Sequence, residues 1–323
     1  MIAEEYINSI QNGDRGALSK AITLVESTKP EHRILAAEIL DGCASNSKQS
    51  IRIGVTGVPG VGKSTFINAL GKYLVEEKHL KVAVLAVDPS SQQSGGSILG
   101  DKTRMEYLSI SDNAFVRPSP SGDSLGGVAA ATHECLMLCE AAGYDVILVE
   151  TVGVGQSETY VYNMVDAFLL LLLPGAGDDL QGIKRGIVEM GDVVAINKSD
   201  ANPVFAKEAH IHYRNALQLI PSGRSGWRVP VQQIDSVTES GLTELWSTLM
   251  SFIEHQKSSS AFSQNRENQL SVWLSRYIDL ELLRFIKNRS DLQELRNQVE
   301  SQVVSGKSSV RSAAMRFVKQ VLS

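Results

Sequence analysis

The chain has 323 residues, a length that at about 150 residues per domain allows two domains but few more. It carries 31 Lys plus Arg against 36 Asp plus Glu, and the net charge of -5 disfavours binding to nucleic acid. With 43% hydrophobic and 21% charged residues, the composition is typical of an ordinary globular protein rather than a disordered or fibrous one.

Residues 1–255 divide into a helical start and an alternating α/β region. In residues 1–48, apolar side chains such as Leu18, Ile22 and Val25 recur at helical spacing, which predicts an N-terminal extension of two or three short helices. Residues 49–255 alternate helical stretches with apolar runs of strand length, namely Ile51–Thr56, Val82–Val87, Val146–Val149, Phe168–Leu173, Val193–Ile196 and Val229–Ile234. Because such strands are buried on both faces, we predict an α/β domain with a mostly parallel sheet flanked by helices.

The last part, residues 256–323, differs from the rest in pattern and in charge. Lys257–Ser260 is a predicted linker, and a helical stretch containing Leu270, Trp273 and Leu274 and a tail helix near Val310–Leu322 follow. This part has a net charge of +5, whereas residues 1–255 have -10. We predict a helical C-terminal extension that either docks on an acidic surface, including a second copy, or presents solvated helix faces.

The compartment follows from features that are missing. Three cysteines, Cys43, Cys135 and Cys139, are too few and too irregularly spaced for a disulfide framework, which favours a reducing environment. The N-terminal sequence MIAEEYINSI does not have the pattern of a secretory signal. The longest apolar run, Ala167 to Leu173, is far shorter than the roughly 20 residues of a membrane helix. We expect a cytoplasmic protein with no membrane partner.

The strongest motif is a phosphate-binding loop (P-loop) between a predicted strand and a predicted helix. It consists of Gly57, Val58, Pro59, Gly60, Val61, Gly62, Lys63 and Ser64, followed by Thr65. Glycines let backbone N–H groups curl around phosphate oxygens, and the helix N-terminus adds its positive dipole end. Lys63 is expected to reach the outer phosphates, and Ser64 is expected to bind magnesium.

A second motif, Asn197-Lys198-Ser199-Asp200, follows the strand Val193–Ile196 and predicts the base. The Asp200 carboxylate can accept hydrogen bonds from the ring N–H and the exocyclic amine of guanine, which adenine does not offer. Lys198 would lie along the base, and Asn197 would brace the loop. The segment Ser236, Val237 and Thr238 stands where a second base-contacting loop belongs, although an ordinary turn fits it equally well. The predicted nucleotide is therefore GTP.

Three acids are candidates for the magnesium shell and for hydrolysis. Glu150 ends an apolar strand and can hold magnesium through water, while the N–H of Gly153 can sense the γ-phosphate and move the following segment, which includes Gln156. Asp88 ends the strand Val82–Val87, and Asp101 lies in a Gly-rich segment. Each of these two is a candidate magnesium ligand or water-positioning base, with a helix cap or turn as the alternative.

The segment 174–186 combines glycines with Asp178, Asp179 and Lys184 directly after a buried strand. This predicts a mobile loop that reports the nucleotide state, although a plain strand-to-helix loop has the same spacing. By contrast, the spacing of His133, Cys135 and Cys139 does not suit a metal site, and we expect buried helix residues there.

The motifs together resemble the MeaB/ArgK family, the GTPases associated with methylmalonyl-CoA mutase. The resemblance covers about residues 15 to 255 and rests on GVPGVGKST, VDPSS, GGSILGDKTRM, ETVGVGQSE, PGAGDDLQGIKRG and NKSD. VDPSS together with GGSILGDKTRM is far more specific than the P-loop alone. One departure is Ser236-Val237-Thr238, where the family more often has Ser-Ala followed by an apolar residue.

The resemblance implies a P-loop GTPase that acts as a chaperone for an adenosylcobalamin-dependent acyl-CoA mutase, delivering the cofactor and protecting the enzyme. It implies GTP or GDP with Mg²⁺, and a homodimer formed with the C-terminal extension. It assigns Asp88, Asp101 and Glu150 to the magnesium and hydrolysis site, so that Lys63, Asp101 and Glu150 form the expected catalytic set. The loop 174–186 would couple GTP to the mutase.

The sequence leaves three other functions open. A metal-insertion GTPase shares the acid at position 150, but such proteins usually carry His or Cys clusters. An ATPase or kinase linked to amino-acid transport is a label long attached to the family, but it would need ATP. A nucleotide-gated scaffold with incidental hydrolysis is a third, non-enzymatic interpretation.

No glutamine or arginine finger stands in a diagnostic position, which predicts slow hydrolysis that a partner accelerates.

Overall fold

A computed structural model describes residues 2–44, 49–87, 105–118, 125–151, 157–175, 185–219 and 224–321. The chain divides into two compact units, Met1–Gln269 and Leu270–Ser323. None of the helices within the described ranges has both the length and the apolar character that crossing a membrane requires.

The first unit opens with three helices, as predicted for the N-terminal extension: α1 (Ala3–Gln11), α2 (Arg15–Val25) and α3 (Pro30–Ala44). The Asp14 carboxylate starts α2 by accepting hydrogen bonds from the N–H groups of Gly16 and Ala17, which would otherwise lack partners. Ile10, Leu18 and Ile22 are fully buried, so these helices contribute their apolar faces to the core of the unit.

The sheet confirms the predicted α/β class. Its described strands are β1 (Ile51–Gly57), β2 (Val82–Val87), β3 (Ala114–Arg117), β4 (Val146–Thr151), β5 (Ala167–Leu172), β6 (Val193–Ile196) and β7 (Val231–Gln233). They lie in the order β3-β2-β4-β1-β5-β6-β7, and every pairing among them is parallel. Strands β1, β4 and β5 are buried along almost their whole length, as the apolar runs predicted.

The two edge strands were predicted least well. Strand β3 was missed because only Ala114 and Phe115 are buried, and Arg117 with the following proline does not resemble a buried strand. At the other edge, the predicted strand Val229–Ile234 is wrong in extent, since only Val231–Gln233 pairs with β6. An edge strand pairs with a neighbour along one side only and is less completely buried than a central strand. Its sequence is therefore less uniformly apolar.

Helices cover both faces of the sheet. They are α4 (Lys63–Glu76), α5 (Glu106–Ile110), α6 (Leu125–Ala141), α7 (Ser157–Tyr162), α8 (Arg185–Met190), α9 (Pro203–Gln218) and α10 (Leu242–Ser258). Helix α7 packs directly on β1 at Gly54, where an added Cβ would lie 2.7 Å from Phe168 Cδ2 and 2.9 Å from Val161 Cγ1. Only glycine at position 54 leaves room for α7 to lie this close to β1, the strand that leads into the P-loop.

Helix α6 carries the three residues that the sequence placed in a buried helix. His133, Cys135 and Cys139 are all buried, and this prediction is confirmed. Burial lowers the pKa of His133 to about 3 and raises the pKa of both thiols, so the three side chains are neutral at physiological pH. Within the described ranges, no group of three or more His, Cys, Asp or Glu residues could hold a metal ion.

The second unit is helical and contains most of α11 (Ala261–Asn288), together with α12 (Ser290–Val304) and α13 (Val310–Val321). The predicted linker Lys257–Ser260 is wrong, because α10 continues to Ser258 and a tight turn with Ser260 at φ 60° leads into α11. Its serines resemble a flexible segment, but Phe262 just beyond is buried in the core. The division into 1–48, 49–255 and 256–323 stays a prediction.

A buried ionic network holds the first turns of α11 in the first unit. The Arg266 guanidinium donates to both carboxylate oxygens of Asp166, at 2.5 and 2.7 Å, and to Glu140 Oε1 at 3.1 Å. The Arg52 guanidinium donates to both carboxylate oxygens of Glu140, at 2.8 and 2.6 Å, and its backbone N–H donates to Asp166 Oδ2 at 2.8 Å. The Asp166 side chain is 0% exposed, so these bonds provide the compensation that a buried charge needs.

We predict that Arg266→Met lowers the free energy of unfolding by about 3–5 kcal/mol, because it leaves the buried Asp166 carboxylate short of a cation. Urea denaturation followed by circular dichroism measures the change. Arg284→Met is the matched control, since Arg284 lies on the same helix in an exposed pair with Glu281 and is expected to cost less than about 1 kcal/mol. Equal losses in the two variants would contradict the role of the network.

Candidate nucleotide site

The predicted motifs meet at one edge of the sheet. Strand β1 leads into the P-loop, β4 ends with Glu150 and Thr151, β6 ends just before Asn197, and β7 ends just before the segment 235–238. Because all the described pairings are parallel, these carboxyl ends lie side by side. This edge is where open α/β sheets bind their ligands.

The turn of the P-loop before α4 closes at Gly62, which has φ 93° and immediately precedes the first residue of that helix. This left-handed conformation strains any residue with a Cβ, and an added Cβ would also lie 3.0 Å from Asn197 Nδ2. The first amides of α4, which have no partner within the helix, begin directly after this turn. The loop therefore presents backbone N–H groups to an anion, as the sequence predicts.

Lys63 folds back over the loop. Its Nζ donates to the carbonyl oxygen of Gly57 at 2.9 Å and to that of Val58 at 3.4 Å. Burial lowers the pKa of Lys63, while the negative charges of Glu150 and Glu158 oppose this effect. The ammonium group is thus held at the loop by weak acceptors, which phosphate oxygens can replace with stronger charge-assisted bonds.

Ser64 and Glu150 come together as predicted for a metal shell. The Ser64 hydroxyl donates to Glu150 Oε1 at 3.1 Å, and the glutamate is buried at the end of β4. A hydroxyl and a carboxylate are oxygen donors of the kind that Mg²⁺ prefers, so the pair fits a magnesium ion. The other two predicted ligands, Asp88 and Asp101, lie outside the residues that the structure describes.

The predicted switch residues also lie outside the described ranges. They are Gly153, Gln156, Asp178, Asp179 and Lys184, and their roles stay predictions.

Asn197 connects the P-loop to the segment after β7. Its Nδ2 donates to the carbonyl oxygen of Val61 at 2.9 Å, and its Oδ1 accepts from both the backbone N–H and the hydroxyl of Ser236, at 3.0 and 2.8 Å. The neighbouring Lys198 extends over the loop, where its Nζ donates to the carbonyl oxygen of Gly60 at 3.0 Å. The sequence predicted the bracing role of Asn197 but not its partners.

The sequence analysis missed Asp235, which organises the residues around Asp200. This buried carboxylate accepts from the backbone N–H groups of Val237 and Thr238 through Oδ1, and from that of Asp200 through Oδ2. The Thr238 hydroxyl in turn donates to Asp200 Oδ2. An aspartate that binds N–H groups two and three residues ahead is an Asx turn, and Asp-Ser-Val-Thr was the available signal.

Glu158 is a second residue that was missed. It lies in the first turn of α7, its exposed fraction is 1%, and its charge acts on Lys63. Its sequence context carries no distinguishing signal, because its burial arises from tertiary packing. Two buried acids, Glu150 and Glu158, therefore place negative charge around the lysine of the P-loop.

Comparison with known proteins decides the family. A family model described as "Methylmalonyl Co-A mutase-associated GTPase MeaB" matches residues 18–291. The chain belongs to the MeaB family. A Caulobacter vibrioides protein named as a GTPase is 47% identical over 98% of both chains. The Mus musculus "Methylmalonic aciduria type A homolog, mitochondrial" is 44% identical over 98% of this chain and 79% of its own.

Among solved structures, one named LAO/AO transport system kinase is 34% identical and covers 99% of this chain and 98% of its own, with a TM-score of 0.77. The match confirms the fold over nearly the whole length, including the helical N- and C-terminal parts. Together with relatives named as GTPases, it shows that this MeaB-family member is a P-loop GTP hydrolase.

We predict that Gly62→Ala weakens GDP binding by tenfold or more, because the added methyl strains the loop and displaces Asn197. Isothermal titration calorimetry measures the affinity. Gly143→Ala is the matched control, since Gly143 has a similar φ of 81° with no atom within 4 Å of an added Cβ. Its GDP affinity should match that of the unmodified protein, and a normal affinity in Gly62→Ala would contradict the prediction.

Proposed function

We propose that the protein is a GTP-hydrolysing chaperone that assists adenosylcobalamin delivery to methylmalonyl-CoA mutase or a related acyl-CoA mutase, and protects that enzyme. The observation that carries the proposal is the meeting of P-loop, acid and Asn197–Asp200 motif at one sheet edge, in a chain of the mutase-associated family. The mouse relative's name, methylmalonic aciduria type A homolog, supports the same direction.

In the proposed mechanism, the P-loop amides from Gly57 to Thr65 and the Lys63 ammonium bind the phosphates. Ser64 and Glu150 would hold Mg²⁺, with Asp88 and Asp101 completing the proposed shell. When bound, Mg²⁺ neutralises charge on the phosphate oxygens. Lys63 leaves the carbonyl of Gly57 for a phosphate oxygen, and its positive charge then stabilises the negative charge that grows during transfer to water.

The base site is proposed to select guanine through Asp200. Lys198 is held over the P-loop and would lie along the base, and Asn197 fixes the loop. In the segment Ser236–Thr238, Ser236 braces Asn197 while Val237 is exposed and free to contact a base. The related solved structure is named a kinase, but a carboxylate at position 200 pairs with guanine rather than adenine and so favours GTP over ATP.

A homodimer through the C-terminal unit is part of the proposal. One face of α11 carries Leu270, Leu274, Ile278, Leu282 and Phe285, all between 50% and 63% exposed. These residues recur every three or four positions and form one apolar stripe, longer than a monomeric protein commonly leaves in water. A second copy, presenting the same stripe, is the occupant that we propose, because isologous contacts are the commonest among homo-oligomers.

The double variant Leu274→Glu with Ile278→Glu is expected to convert the dimer to monomer. The dissociation constant of the dimer should rise tenfold or more, because two apolar side chains that the dimer would bury become charged. Analytical ultracentrifugation measures the mass. Leu283→Glu changes an equally exposed leucine on the opposite side of α11 and should leave the dimer intact. A monomeric unmodified protein, or loss of the dimer in both variants, would contradict the proposed interface.

We expect that a purified adenosylcobalamin-dependent mutase from the same source raises GTP turnover by about tenfold or more, by supplying or ordering a charge at the site. Phosphate release measures turnover, with ATP as the nucleotide control. Lys63→Ala should show no turnover with or without the mutase. GTP turnover that no such mutase changes would leave a GTPase but contradict the chaperone function.

The free thiols Cys43, Cys135 and Cys139 support the cytoplasm as the proposed compartment.

A further inference from the structure

The base-selecting carboxylate has a protein partner. The Thr238 hydroxyl donates a hydrogen bond to Asp200 Oδ2, with the two residues 38 positions apart in the chain. Both side chains are exposed, so the contact lies where a ligand can reach it. A hydroxyl bonded to an ionised carboxylate is a charge-assisted hydrogen bond, which is stronger than a neutral one.

The backbone of Thr238 is itself fixed by the buried side chain of Asp235. Its backbone N–H donates to Asp235 Oδ1 at 3.2 Å, and the N–H of Val237 donates to the same oxygen at 2.9 Å. The other oxygen of Asp235 accepts from the backbone N–H of Asp200 at 3.3 Å. A single buried carboxylate therefore fixes both the residue that donates and the backbone of the residue that accepts.

The contact leaves Asp200 able to bind a base. An ionised carboxylate offers about four acceptor positions, and the Thr238 hydroxyl occupies one of them. The remaining positions, on both oxygens, are sufficient for the two N–H donors of a 2-amino-6-oxopurine. Two further side chains of the motif are also fixed without a ligand, Asn197 by Val61 and Ser236, and Lys198 by Gly60.

An exposed aspartate would otherwise rotate freely about its side-chain bonds. Fixing it only when the ligand binds would take part of the binding free energy, whereas a carboxylate that is already oriented avoids this loss. Orientation matters more for two parallel hydrogen bonds than for one, because both donors of the base must meet the carboxylate in its plane.

We propose that Thr238 is a specificity-determining positioning residue, whose hydroxyl orients the Asp200 carboxylate to read a 2-amino-6-oxopurine nucleotide. The inference rests on the proposed role of Asp200.

The test compares Thr238→Val, which removes the hydroxyl at nearly constant shape, with Thr238→Ser, which keeps it. Isothermal titration calorimetry measures the affinities for GDP and, as a probe without a base, inorganic pyrophosphate. Thr238→Val should weaken GDP binding about three- to tenfold and leave pyrophosphate binding unchanged. Thr238→Ser should bind GDP within about twofold of the unmodified protein.

The variant Asp200→Asn separates the role of Thr238 from the role of Asp200. If it weakens GDP but not pyrophosphate binding while Thr238→Val binds GDP normally or more tightly, the role of Thr238 is overturned and that of Asp200 stands. Weaker binding of both probes by Thr238→Val means general damage to the loop, which also overturns the inference. Normal GDP binding by Asp200→Asn overturns the proposed base site, and the role of Thr238 with it.

Discussion

The site depends on the side-chain amide of Asn197, which is fully buried and uses both of its polar ends. The amide nitrogen binds the carbonyl oxygen of Val61 in the P-loop, and the amide oxygen binds Ser236 in the segment after β7. A carboxylate could not make both bonds because it lacks the donor, and a lysine could not because it lacks the acceptor. Asn197 therefore links the P-loop to the segment after β7, and Lys198 adds a second bond to the loop at the carbonyl oxygen of Gly60.

The same position explains the glycine that precedes α4. Gly62 has a left-handed backbone and lies against Asn197, so the P-loop can turn into the helix only while that space stays empty. In β1, Gly54 allows the close approach of α7, whose first turn carries Glu158. Because Gly54 and Gly62 lack a Cβ, α7 and Asn197 can lie close to the P-loop and to the strand that leads into it.

Charge is arranged in two separate layers of the domain. At the nucleotide edge, Lys63 lies near two buried acids and its pKa is lowered by burial, an arrangement suited to a charge that changes partners. Deeper in the domain, Arg52 and Arg266 bind Glu140 and Asp166 through several hydrogen bonds each. The first layer serves the proposed chemistry, while the second attaches the start of α11 to the unit that carries the sheet.

Local sequence patterns were sufficient to predict the α/β class, the P-loop, the Asn197–Asp200 motif and the family. These patterns are apolar runs, glycines at fixed spacing and residues at strand ends. The pairing of Ser64 with Glu150 also followed, since parallel strands bring their carboxyl ends together. Only the tertiary structure revealed β3, the continuation of α10 into the predicted linker, the burial of Glu158, and the contacts of Asp235 and Thr238 with Asp200. Each of these depends on burial or on a partner distant in the chain, and a residue's own neighbours in sequence carry no record of either.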